Sequence, residues 1–495
     1  MAHPALADED VARLRDALAT AGYTVDGVRA VLGPVAAAAL DRNETTPGRR
    51  ATSGGSALET LTRLWPLQQP VPLAAASAAL PVELLVAGGL LESDGETVRA
   101  VVDVRPYADD AGDWWVVSDL TPGLDGRVEP VPDDHVLGVN AASSTLAQLT
   151  VRDQVGRALD LGTGCGVQAL HLARHCDVVV ATDVNERALA LASVTMRLNN
   201  LRVDLRGGTW YQPVAGERFD LIVTNPPFVV SPSGHHVYRD GGLAGDEVSR
   251  RVVVDGAAHL DDGGRLQALA NWMHVDGEDW QDRVGSWAAA TGCAAWIIQR
   301  EVLDPAAYVE LWLRDSGDVV RPDYVERYDA WLSWFAAQRV AGIGFGWVML
   351  QASGAADPQV RIEDWPHPVA QPLGPAVSGH FDRIAALPAT DAELLDTHLI
   401  VAPDVVQEQI GQPGAEHPEH VVLRQQNGLR RARTVDTAGA GLVGACDGSL
   451  PAGVLIGALA TVLGVAEDAL RSRLVPVIRE LVADDFLAPA PPSTP

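Results

Sequence analysis

The stretch RALDLGTGCGVQALHLARHC (Arg157–Cys176) constrains the fold more than any other part of the chain. It opens as a short apolar run, breaks on three glycines at alternate positions, and resumes with apolar residues at helical spacing. A buried strand that turns on glycine straight into a helix begins a βα unit. Such units require a parallel sheet covered on both faces. The pattern then repeats. DVVVATD (177–183) reads as the second strand and NERALALASVTMRLNN (185–200) as the second helix. VDLRGG reads as the third strand, FDLIVTNPPF as the fourth, EVSRRVVVDGAAHL as a helix and GGRLQALANW as the fifth strand. AAWIIQREV and GIGFGWVMLQ read as a terminal pair, with helices expected over Pro305–Arg314 and Tyr324–Ala341 between them. Residues 131–365 are therefore expected to form an α/β domain.

At 495 residues the chain is too long for one core, and about two to four domains are expected. Residues 1–130 read as a mainly helical substrate-recognition module. Asp10–Leu18 is expected to be an amphipathic helix and Asp41–Ser56 a mobile loop. LETLTRLW, PLAAASAAL and PVELLVAGGLL give three helical segments, followed by the strand-like TVRAVVDVRPY and DWWVVSDL. Helices followed by a two-strand ribbon resemble a winged helix, and a plain helical cap fits as well. Residues 366–495 read as a third, α+β module, also winged-helix-like. In it Asn427-Gly428 sits between two strand-like runs, a strong hairpin signal. Amphipathic segments Gly453–Leu463 and Ala466–Leu481 follow, then FLAPAPPSTP as a frayed tail.

Composition narrows the function classes. No apolar stretch reaches the roughly 18 residues of a membrane span, and the acidic N-terminus lacks the pattern of a signal peptide. The four cysteines are scattered without paired spacing, so no disulfide framework is expected. A cytoplasmic protein with no membrane partner is the expectation; its oligomeric state is not legible. All 37 basic residues are arginine, which suggests a GC-rich bacterial source. The net charge of −28 counts against general DNA binding. An arginine patch on one domain can still act locally on RNA. Arg424, Arg430, Arg431 and Arg433 around the C-terminal hairpin form the densest such patch, either an RNA phosphate contact or a solvated face paired to nearby acids.

Chemistry concentrates at three places. The loop Asp160, Gly162, Thr163, Gly164, Gly166 joins a strand to a helix N-terminus, where backbone N–H groups can approach a ligand carboxylate. Its G-x-G-x-G spacing departs from the G-x-G-x-x-G of dinucleotide folds and fits the methionine end of S-adenosylmethionine. Asp183, with Val184 beside it, closes the second strand and is expected to accept ribose hydroxyls or to cap the next helix. Thr209 or Trp210 is expected near an adenine, and His135 with Gly138–Thr145 near the cofactor. The third place is Asn225-Pro226-Pro227-Phe228, where the fourth strand ends. The Asn225 side-chain oxygen and the Pro226 carbonyl can grip both N–H bonds of a planar amino group. The prolines stiffen the loop and remove competing donors, while Phe228 offers a stacking face. No strong base is needed, so catalysis there is positioning and charge stabilisation. His171-x3-His175 with Cys176 is a weak metal pattern, and no metal is expected. His235-His236 could line the substrate mouth or a solvated loop.

The elements DLGTGCG, ATDVN, LIVTNPPF and GG-x-x-GD-x-x-x-R resemble class I S-adenosylmethionine-dependent methyltransferases of the N-P-P-[FYW] group. That group includes adenine-N6 DNA and RNA methylases, guanine-N2 ribosomal RNA methylases and HemK-type glutamine methylases of release factors. The resemblance covers about residues 131–300 and implies a Rossmann-like sheet with S-adenosylmethionine as cofactor. Gly241-Gly242 through Gly245, Asp246 and Arg250 is similar to the HemK-type pattern, with Phe228 where that type has Tyr. The expected substrate is a planar exocyclic nitrogen, first a base in structured RNA, with a protein glutamine as the alternative. A module that binds the cofactor without activity is the remaining one.

Overall fold

The computed structural model describes residues 3–110, 112–124, 131–232, 243–315, 317–413 and 418–490. They fall into two compact units, one of residues 1–147 with 154–365 and one of 148–153 with 366–495. The modules read from the sequence as 1–130 and 131–365 both lie within the first unit, apart from the short stretch 148–153.

The first unit opens with helices α1 (Asp8–Thr20), α2 (Val25–Leu40), α3 (Thr46–Ala51) and α4 (Ala57–Leu64). The expected loop Asp41–Ser56 therefore contains a helical turn, with Pro47 in its first turn, a position where a missing N–H costs nothing. Then come β1 (Val71–Pro72), α5 (Leu73–Ala79), α6 (Val82–Ala87), β2 (Leu91–Ser93) and β3 (Thr97–Ala100), in a three-stranded sheet ordered β1-β3-β2. This helix–strand–helix–helix–strand–strand order is that of a winged helix. The run read as one strand, Thr97–Tyr107, is divided: β3 closes this small sheet, while β4 (Val102–Asp109) pairs with β5 (Gly112–Asp119) in a separate ribbon.

After α7 (Ala141–Leu149) the chain enters the main sheet: β6 (Val155–Leu161), α8 (Val167–Leu172), β7 (Cys176–Asp183), α9 (Glu186–Leu198), β8 (Asp204–Gly207), β9 (Phe219–Thr224), α10 (Glu247–Ala257) and β10 (Leu260–Val275). It continues with α11 (Trp280–Thr291), β11 (Ala294–Leu303), α12 (Pro305–Asp315), α13 (Tyr324–Ala337), β12 (Val340–Gln351) and β13 (Val360–Asp364). The order is β13-β11-β12-β10-β9-β6-β7-β8, eight strands in all. Strands β6 to β10 are mutually parallel, and β12 runs antiparallel between β10 and β11. The expected α/β sheet with a terminal pair is thus present, and β13 adds an edge strand. Leu159, Ile222, Leu266, Trp272, Ile297 and Val348 are buried in its core, which is why these strands read as unbroken apolar runs. The helix expected to run to Ala341 stops at Ala337, because Arg339 takes a left-handed φ of 56° and turns the chain into β12.

The second unit contains α14 (Gly374–Ala386), α15 (Asp391–Asp396), β14 (His398–Val401), β15 (Val405–Ile410), β16 (His420–Gln425) and β17 (Ala432–Val435). It ends with α16 (Thr437–Ala445), β18 (Asp447–Pro451), α17 (Ala452–Leu463), α18 (Glu467–Ala483) and β19 (Leu487–Pro489). The Asn427-Gly428 hairpin joins β16 to β17, with Arg424 opposite Ala432. Segment Leu487–Pro489 of the expected tail is a strand paired with β14. In the order β18-β14-β19, the succession α16, β18, α17, α18, β19 again follows a winged helix. Its central strand comes from upstream in the chain.

Candidate active site

The next strand after β6 lies on one side of it and β9 lies on the other. Where strand order reverses in this way, the loops leaving the two carboxyl ends diverge and open a crevice. A cleft of about 570 Å³ occupies that place, walled by the loops after β6, β7, β8 and β9 and by the strip 133–138. Thr224 Oγ1 donates to Leu161 O at 2.8 Å and locks the two strand ends together.

The glycine loop forms the floor. Gly162, Gly164 and Gly166 hold φ of 74°, 56° and 92°, a region that favours glycine. At Gly166 a Cβ would also press within 2.6 Å of Met196 Cε, the movable end of that side chain. The N–H groups of Gly162 and Thr163 both donate to Thr182 O at 2.9 Å, tying the loop to β7. Asp160 stands behind it: its Oδ2 accepts Thr163 Oγ1 at 2.6 Å and Ala169 N at 3.1 Å. Its Oδ1 is buried with no hydrogen-bond partner among the described residues. Burial, opposed by those two hydrogen bonds and assisted by nearby Asp183, pushes the carboxyl up to about 7.

Asp183 lines the cleft at the end of β7. One oxygen accepts Gly164 N at 2.9 Å and the other accepts Asn185 N at 2.9 Å, while burial raises its pKa. The N-cap of α9 is Asn185, whose Oδ1 accepts Arg187 N at 2.9 Å. Asp183 therefore fixes both turns and still faces the cleft.

Asn225, Pro226 and Pro227 form the opposite wall. Asn225 Oδ1 is buried and has no partner among the described residues. The Pro226 carbonyl accepts Phe228 N at 2.8 Å and keeps its second lone pair. Phe228 stands outside the cleft lining, with its ring edge-on to Trp312 at 6.3 Å. Behind it, Tyr308 Oη accepts Val230 N at 2.8 Å and Asn271 Nδ2 at 3.1 Å.

Of the other expected residues, Gly162, Thr163, Gly164, Val184, Thr209 and Trp210 line the cleft, as do His135 and Gly138. Asp160 and Gly166 lie behind its surface. The Arg251 guanidinium sits 5.5 Å from the Trp210 ring. His171 meets Tyr107 Oη at 2.8 Å and lies edge-on to Trp114, so it packs the ribbon against α8. Among the described residues no group of three His, Cys, Asp or Glu side chains could hold a metal ion. His235, His236, Gly241 and Gly242 lie outside the described residues. Asp246 is buried and accepts Met273 N at 3.0 Å and Arg283 Nε at 2.7 Å, a structural role at the start of α10.

Sequence reasoning missed Gln168 and Thr182. Both line the cleft, 5% and 1% exposed, and Gln168 Oε1 and Thr182 Oγ1 have no partner among the described residues. Gln168 Nε2 donates to Ser143 O at 2.8 Å, which fixes the orientation of its amide. The available signal was a glutamine at buried spacing in an otherwise apolar helix turn.

Residues 137–279 match the family described as Methyltransferase small domain. Residues 20–101 and 378–489 match families described as Domain of unknown function (DUF7059) and Domain of unknown function (DUF7782). The chain is 32% identical over 116 residues to the ribosomal RNA small subunit methyltransferase C of Alcanivorax borkumensis, covering 23% of this chain and 32% of that protein. It is 36% identical over 129 residues to the release factor glutamine methyltransferase of Xylella fastidiosa, covering 23% and 47%. The chain thus spans less than half the length of either relative. Among solved structures, a T. thermophilus 16S rRNA N2 methyltransferase in complex with AdoMet and guanosine aligns with TM-score 0.28 and 17% identity, covering 52% of this chain and 67% of that one. Family match, glycine loop and Asn225–Phe228 coincide in one segment, and residues 137–279 carry a methyltransferase small domain similar to ribosomal RNA and glutamine methyltransferases.

Proposed function

We propose that this protein methylates a planar exocyclic nitrogen held by Asn225 and Pro226. The observation that carries this reading is the buried, unpartnered Asn225 Oδ1, which lines the same cleft as the glycine loop and Asp183. A buried amide oxygen without a donor is costly, and an incoming N–H relieves that cost. The residues fit the cofactor. Asp183 suits ribose hydroxyls; the orphaned acceptors of Asp160 and Gln168 suit an α-ammonium group; the loop N–H groups suit a carboxylate. S-adenosylmethionine supplies an electrophilic methyl group when bound. Asn225 and Pro226 orient the substrate nitrogen so that its lone pair leaves conjugation and points into the cleft, and the rigid prolines hold that geometry. The proton then left on nitrogen is acidic and departs to water.

A base in structured RNA is the first substrate reading, supported by the ribosomal RNA relatives and by the winged-helix order of the flanking elements. Protein glutamine is the second, favoured by a specific observation: Arg424, Arg431 and Arg433 each meet an acid of their own unit. Methyl transfer from tritiated S-adenosylmethionine into a lysate lacking this protein tests both. Label released by ribonuclease supports the base, and label released only by protease moves the assignment to an amide. Asn225→Ala is expected to keep cofactor affinity and lose turnover by about 10²–10³; unchanged turnover removes Asn225 from the mechanism.

A further inference from the structure

The ribbon β4–β5 and the chain beyond it to Val136 lie outside all three matched segments, 20–101, 137–279 and 378–489. We propose that Asp119, at the end of this ribbon, is a positioning residue that fastens the strip 133–138 over the cofactor cleft. The ribbon is then part of the cofactor site. This rests on the methyltransferase reading of the cleft.

Asp119 holds Val136 by both of the latter's backbone polar groups. Its own N–H donates to Val136 O at 3.1 Å, and its Oδ2 accepts Val136 N at 2.8 Å. The same carboxylate is gripped from beneath by Arg187 of α9, whose Nε lies 3.0 Å from each oxygen and whose Nη2 also engages Oδ1. Asp119 is 9% and Arg187 2% exposed. His135 Nδ1 stands 3.7 Å from Oδ2. The strip passes flush against the ribbon, for a Cβ on Gly138 would meet Ser118 Oγ at 2.7 Å. On its other side Asn185 Nδ2 donates to Asp134 O at 2.9 Å, two residues from Asp183.

The ribbon is itself anchored. Asn199, the C-cap of α9, accepts Trp115 N at 2.9 Å and donates to Trp115 O at 2.7 Å, and Thr195 Oγ1 accepts Val117 N at 3.0 Å. Side chains of the helix thus stand in for a partner strand. The chain of support runs from α9 to ribbon, from ribbon to strip, and from strip to cleft, where His135, Val136 and Leu137 form the wall. A surface turn needs none of this, and a buried arginine is tolerated only with its partner in place.

The test measures the dissociation constant of S-adenosylhomocysteine by calorimetry on the full chain, with hydrogen exchange at residues 133–138. The variant is Asp119→Leu with Arg187→Met, an apolar replacement of both charges that buried ion pairs commonly tolerate. Expected are a melting temperature near the parent's, affinity weaker by about tenfold or more, and faster exchange in the strip. Affinity within about twofold of the parent, with unchanged exchange, overturns the proposal. Should the double variant not fold, Asp119→Asn is read by the same two measurements with the same outcomes. The parent itself separates the two layers: no binding by the parent overturns the cofactor reading and this proposal with it, whereas parent-like affinity in Asp183→Ala removes only the ribose role of Asp183.

Discussion

Asp160 is held near neutral pH by its own burial, with its carboxyl at about 7, whereas the unfolded chain titrates it near pH 4. Between those two values the native state carries the extra proton, so this group's contribution to stability is full at low pH. It falls as pH rises through about 7. A bound cation reverses the preference and favours the ionised carboxylate. S-adenosylhomocysteine carries such a cation in its α-ammonium group. Its affinity is therefore expected to rise by up to about tenfold per pH unit below pH 7 and to level off above. Binding should release a proton, read by calorimetry in buffers of different ionisation enthalpy. Asp160→Asn should abolish the slope, and a flat profile in the parent would show that Asp160 does not sense the ligand's charge. The loop around it was legible because strand, glycines and helix are consecutive in the chain. Gln168 and the Asp119–Arg187 pair were not legible as part of the cleft, because their roles come from contacts 25 and 68 positions apart in sequence.

At the scale of elements, the helices between β11 and β12 do more than connect a terminal pair. Tyr308 on α12 is fully buried in a cluster with Val229, Val230, Met273 and Phe335. Its hydroxyl takes one donor from the loop after Phe228 and another from β10. That places a rigid buttress behind the Asn225–Phe228 turn. Tyr308→Phe keeps the ring and strands both donors. Turnover is expected to fall about tenfold, corresponding to roughly 1.4 kcal/mol, while the KM for S-adenosylmethionine stays within about twofold. A rise in that KM with unchanged turnover would show that α12 supports the cofactor side instead. Both helices were read from periodicity. Their packing behind the Asn225–Phe228 turn was not, since periodicity gives a helix an apolar face without naming what covers it. The same limit explains Thr97–Tyr107: an apolar run announces strand, and only pairing shows that it changes sheets at Val101.

For the whole molecule, a net charge of −28 opposes any polyanion at long range, so an RNA substrate would need local positive charge. The hairpin of the second unit was the densest candidate. Asn427-Gly428 marked where the chain reverses, but six residues separate the two strands, with Arg424 opposite Ala432. The partners of the hairpin's arginines come from β15 and from the distant helix α18 with its C-cap Asp484. Arg424 meets Glu408 at 2.7 Å, Arg431 lies 3.8 Å from Asp484, and Arg433 meets Asp484 at 3.2 Å and also Glu480. Arg431 and Asp484 are nearly buried, with side chains 10% and 14% exposed, so this pairing is screened little by salt. Charges engaged in this way are costly to redirect toward phosphates. Replacing Arg431 and Arg433 together by Gln in the full chain is therefore expected to lower stability by about 0.5–3 kcal/mol in denaturant melts. The salt dependence of retention on total RNA should remain as in the parent. The opposite pattern, an unchanged melt with a salt slope smaller by about one for each lost contact, would return the hairpin to RNA binding and strengthen the base as substrate over the glutamine.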